Sequence, residues 1–131
     1  MINFENVMPV LKELFLNRLP SYIKEINKEI NDGIILFPFE NKTLFEDCMK
    51  LPCFKLVLLE ADYSEKDRII ENTVFTLCME IKVKAEGERK LIELLRYEKA
   101  LEKMIQENPD FFQSFVVEKM CGNKVFIKIH L

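Results

Sequence analysis

The chain has 131 residues, 49% apolar and 31% charged, with a formal net charge of −3. This composition supports a buried core and excludes a disordered chain, and the length predicts one domain over 1–131. Residues 1–65 carry 7 basic and 11 acidic side chains and residues 66–131 carry 12 and 11, so no basic face for specific nucleic-acid binding is expected.

The opening MINFENV lacks the basic-then-apolar order of a secretory signal, and no apolar run approaches a membrane span. The expectation is a cytoplasmic chain without a membrane partner. Residues 6–32 read as helix, with Leu11, Leu14, Phe15, Leu19, Tyr22, Ile23, Ile26 and Ile30 recurring at three- and four-residue steps. Asn6 is the expected N-cap, with Pro9 tolerated in the first turn. Pro20 is expected to kink or split the helix, Ser21 to recap it, and Asp32-Gly33 to stop it. Gly33–Phe39 reads as a short apolar strand limited by Pro38. Thr43-x-x-Glu46 has capping-box spacing and predicts a short helix through Lys50, ended by Leu51-Pro52. Cys53–Glu60 is apolar on both faces apart from Lys55, as an interior strand would be.

Residues 61–71, with Glu60, hold five acids: Glu60, Asp62, Glu65, Asp67 and Glu71. They read as a polar hairpin connection. Asn72–Lys84 is the clearest strand. Thr73, Phe75, Leu77, Met79, Ile81 and Val83 share one face; Val74, Thr76, Cys78, Glu80, Lys82 and Lys84 share the other. At roughly 3.3 Å per residue it would span about 43 Å, so part should extend beyond the compact body. Gly87 marks a turn. Glu88–Asn108 is a helix with its apolar stripe on Leu91, Leu94, Leu95, Leu101, Met104 and Ile105, widened by Ile92, Tyr97 and Ala100. Phe111–Glu118 and Lys124–Leu131 are strands joined around Gly122-Asn123. In the last, Val125, Ile127, Ile129 and Leu131 point inward. Phe126 points outward beside Lys124, Lys128 and His130, which marks it as an oligomer contact. The fold class is α+β, a mainly antiparallel sheet with a long central hairpin and helices packed on it.

Little catalytic chemistry is encoded. Cys48, Cys53, Cys78 and Cys121 lack zinc-knuckle spacing and read as four reduced thiols, since cytosolic conditions disfavour disulfides. The single His130 near a strand end does not suggest a nucleophilic site, and three scattered glycines make no phosphate loop. No cofactor is implied. One enzymatic alternative is a Mg²⁺-dependent nuclease of the PD-(D/E)xK type. Glu80-x-Lys82 would supply a carboxylate and the water-orienting lysine, and Asp62 or Asp67 the second acid. In a chain this rich in Glu and Lys such triplets arise by chance. A protein-binding α+β module is a further alternative.

The order of elements carries a resemblance. A kinked helix is followed by a short strand and an irregular stretch, a long hairpin with a charged tip (Cys53–Lys84), a helix containing RYEKALEKMIQEN (Arg96–Asn108), and closing strands. This resembles the tail terminator and tail-completion proteins of long-tailed bacteriophages. It rests on architecture and size, not on signature residues. The resemblance implies a non-enzymatic homo-oligomer, commonly a hexameric ring, that ends tail-tube polymerisation and meets tail-tube and head-connector proteins in host cytosol and virion. The interface candidates are Glu60, Asp62, Glu65, Asp67, Glu80, Lys82, Lys84 and Phe126.

Overall fold

Alternation in the long central strand sets the architecture. In the computed structural model, which describes residues 4–66 and 69–131, that strand is β2 (Ile69–Lys82). It pairs antiparallel with β1 (Cys53–Lys66) on one side and β4 (Lys124–His130) on the other. β3 (Ser114–Cys121) pairs with β4, giving the order β1-β2-β4-β3. Phe75, Leu77, Met79 and Ile81 of β2 are at most 1% exposed. They meet Phe54, Leu56, Val125, Ile127 and Ile129 in one core with the helices. α1 (Phe4–Lys12), a π-helical turn (Glu13–Arg18) and α2 (Leu19–Glu29) form the N-terminal helical run, and α3 (Gly87–Glu107) packs beside it. The fold is α+β, with every helix on one face of the sheet.

The N-terminal run departs from expectation in three ways. Helix is already present at Phe4, so Asn6 lies inside it, and Pro9 falls past the first turn. Pro20 does not split the run. The irregularity lies just before it, where Leu19 N–H reaches back five residues to the Leu14 carbonyl. A widened turn accommodates a proline that clashes with the preceding turn and has no N–H to return to it. Ser21 donates its hydroxyl to the Arg18 carbonyl (2.8 Å) and so is not a new N-cap. The helix stops at Glu29, ahead of Asp32-Gly33, although Gly33 does take a left-handed φ of 87°.

Residues 33–39 form no strand, and 43–50 form no helix. Side chains satisfy this backbone where a ladder was expected. Asn27 of α2 clamps Leu36 from both sides, donating to its carbonyl (2.9 Å) and accepting from its N–H (2.8 Å). Tyr97 of α3 donates its hydroxyl to the Phe37 carbonyl (2.6 Å). Asn41 donates to the Phe54 carbonyl (2.5 Å) and accepts from its N–H (3.1 Å), and the Leu44 carbonyl accepts from Leu56 N–H (2.6 Å). Cys48 and Cys53 are joined by a disulfide across this loop, which corrects the expectation of four free thiols; Cys78 and Cys121 are free.

β1 is an edge strand, not an interior one. The irregular loop covers its first residues, which explains why both faces there are apolar. The described residues of the expected polar connection over 61–71 are instead strand: β1 runs to Lys66, and β2 starts at Ile69. β3 begins three residues later than expected, after a 3-10 turn at Pro109–Phe111. On α3, Leu94, Tyr97, Ala100, Leu101, Met104 and Ile105 are buried, but Leu91 and Leu95 are exposed and leave the predicted stripe.

Two cross-element clusters lock the helices. Arg96 of α3 makes a forked ion pair with Asp32 (Nη1–Oδ1 3.1 Å), which holds the Asp32 carboxyl down at about 2. The buried Asn108 accepts from Arg18 and donates to the Met104 carbonyl (2.7 Å) and to the Tyr22 hydroxyl (3.2 Å). The Leu36 clamp is the most direct test of the irregular segment. Asn27→Ala leaves two polar groups of a buried residue without partners, so urea denaturation should show a loss of about 1–3 kcal/mol. The exposed Lys24→Ala should stay within about 0.5 kcal/mol of the parent.

Candidate functional site

Among the described residues no helix lies over the second face of the sheet. Register places four cross-strand rows there. Val57, Cys78, Phe126 and Lys119 form one row; Lys55, Glu80, Lys124 and Cys121 form the next. Glu60, Thr76, Lys128 and Val116 form a third, and Asp62, Val74, His130 and Ser114 the last. The centre is apolar. Cys78 is 5% exposed because Val57 and Phe126 flank it, and this burial pushes its thiol pKa up. Phe126 lies on this face as expected, half-covered, with Lys119 Nζ 5.0 Å from its ring centroid. The rim is charged. Glu80 pairs with Lys82 (3.8 Å) and Lys128 with Glu118 (3.7 Å), both partly exposed, so each contributes little to stability.

A hairpin arm projects past this face. Pairing of β2 with β4 ends at Val74–His130, with one further bond from Leu131 N–H to the Thr73 carbonyl (2.9 Å). β1 and β2 stay paired beyond that point through Lys66–Ile69. From Thr73 to Ile69 the two-stranded ribbon runs on for roughly 13 Å. Tyr63 and Glu65 are exposed along it, and Tyr63 sets its ring edge-on to Phe75 at 6.4 Å; Glu60, Ala61 and Asp62, also exposed, precede it on β1, opposite residues of β2 that still pair with β4. A strand extension beyond the body is present, but at the start of β2, through Ile69–Thr73, and so takes in only Asn72 and Thr73 of the strand expected over 72–84.

The structure brings some predicted residues together and separates others. Glu80 and Lys82 are adjacent. Asp62 sits opposite Val74, whereas Glu80 sits opposite Lys55 and Lys124. Six residues along β2 separate those positions, roughly 20 Å, so Asp62 and Glu80 cannot share a metal ion. Asp67 lies outside the described residues. Among the described residues no group of three or more His, Cys, Asp or Glu side chains is placed to hold a metal. Lys84 lies past the end of β2, on a cavity of about 780 Å³ that it shares with Phe37, Met49, Leu51 and Glu93. Sequence reasoning missed this cavity because it assigned both flanking segments to regular elements. It also missed a smaller cavity, about 390 Å³, between α3 and β3, lined by Glu102, Ile105, Gln106, Phe115 and Val117. Among the described residues no helix is long and apolar enough to cross a membrane.

Comparison of the chain with protein-family models, curated proteins and solved structures returns no match.

Beside the smaller cavity, Glu98 and Glu102 stand one turn apart on α3. Burial, and then the hydrogen bond to Glu102, push the Glu98 carboxyl from its ordinary 4.5 up to about 7. Here the folded state holds the proton more tightly than the unfolded state. Stability should therefore rise as the pH falls through about 7 toward 4.5. Denaturation midpoints measured at about pH 8 and about pH 5.5 should show this gain, and Glu98→Gln should flatten it.

Proposed function

We propose that the protein is a structural component that assembles with copies of itself into a ring, acting as a tail terminator of a long-tailed phage. In this reading the ring, commonly hexameric in proteins of that type, ends growth of the tail tube and offers its other side to the head connector. It is not an enzyme. The projecting β1–β2 arm carries the reading. A paired ribbon that runs past the end of β4 displays Tyr63 and Glu65 to the surroundings, with Glu60 and Asp62 exposed on β1 just before it. The uncovered sheet face with Phe126 at its centre supports the same reading, because an apolar patch within a charged rim is the usual makeup of a contact surface. Head-to-tail contacts that close produce rings without further parts.

The arm can be removed without touching the core. Replacing residues 63–72 with an Asn-Gly turn should leave a folded domain with parental circular dichroism. The same change should convert the multimeric wild type to monomer in sedimentation velocity. A shortened protein that keeps the wild-type mass would remove the arm from the assembly.

A further inference from the structure

The two outer strands of the sheet are unlike in a complementary way. Alternation continues across the whole sheet, so the second copy's β1, in the same orientation, would run antiparallel to β3 of the first. Both edges are open. The irregular loop covers the β1 edge only at Phe54 and Leu56, through Asn41 and Leu44. Beyond Leu56, and along the outer side of β3, no further strand is paired among the described residues. An open edge presents unpaired N–H and C=O groups to any strand that fits.

The side chains match on both faces. On the outer face the distal half of β1 is acidic, with Glu60 and Asp62 exposed. The corresponding face of β3 and β4 carries Lys119, Lys124 and Lys128 against Glu118 alone. On the inner face the same half carries Leu58, 38% exposed, and Tyr63, 42% exposed. The inner side of β3 borders the 390 Å³ cavity, lined by Ile105, Phe115 and Val117 together with Glu102, Gln106 and Gln113, with room for such side chains. Acid meets base on one face, and Leu58 and the amphipathic Tyr63 meet a cavity of mixed lining on the other.

We propose that the open distal half of β1, including its arm, adds in one copy as a fifth strand to the β3 edge of the next, making a heterologous sheet-to-sheet contact. This rests on the ring reading above and assigns its interface. Lateral hydrogen bonds between edges supply attachment, and the charge match sets partner and register. The contact is directional, since an arm meets an edge and not another arm. It therefore propagates from copy to copy and makes a ring where the rotation between copies closes.

Charge reversal tests it. The variant Glu60→Lys/Asp62→Lys and the variant Lys119→Glu/Lys128→Glu change exposed side chains only. Each alone should weaken self-association by about tenfold or more in sedimentation equilibrium. Mixed one to one, they should restore assembly, because each arm then faces an edge of opposite charge. Wild-type oligomers that neither variant disturbs would overturn the edge contact while leaving the ring reading standing. A wild type that stays monomeric at every concentration would overturn both, and would assign the open edges to strands of another chain.

Discussion

One-sided burial of β2 is the constraint on which the rest of the structure depends. Phe75, Leu77, Met79 and Ile81 are closed off by the helices, and a one-residue slip would expose all of them. That fixes the register with β1 and β4, and with it every row on the opposite face. The same alternation that builds the core therefore determines which charges stand beside Phe126 and how far Asp62 lies from Glu80. Helices cover only one face, so the second is left with a half-covered aromatic, a buried thiol and a charged rim. The arm follows as well. β4 is shorter than β2, so the part of β2 beyond Val74 can pair only with β1.

A second constraint is the satisfaction of irregular backbone. Residues 30–52 join the helical run to β1 without regular structure. Asn27 of α2 and Tyr97 of α3 reach into this segment and bond its backbone, and Asn41, within it, bonds the Phe54 backbone of β1. Buried polar backbone must find partners, and fixed side chains serve as well as a ladder does. Arg96 and Asp32 close the same segment against α3. The loop in turn shields the first part of β1, leaving only its distal edge open.

The sheet was legible in the sequence because strand burial has a strict period. β2, β4 and the facing of Phe126 follow from alternation alone, and the α+β class follows from their combination with α3. The arm was half legible. An extension beyond the body was apparent, but the acids of 61–71 read as loop, since polarity signals exposure equally for a turn and for a two-stranded ribbon in solvent. The segments at 33–39 and 43–50 misled because short apolar runs and a capping-box spacing are local signals. The bonds that override them come from Asn27 and Tyr97 for the first segment, and from Leu56 N–H to the Leu44 carbonyl for the second. Leu91 and Leu95 misled for a related reason: helical periodicity gives a stripe but not the width that neighbours cover. Cys48 and Cys53 were read from compartment logic, which does not see that a loop brings them together.

The account's central claim is that open strands of this sheet are contacts between copies. Amide hydrogen exchange of the wild-type protein, compared at dilute and concentrated conditions, tests it most directly. The account predicts that concentration adds protection at Ser114–Cys121 and in the distal half of β1, with α3 unchanged. Exchange that is independent of concentration in both strands would contradict it.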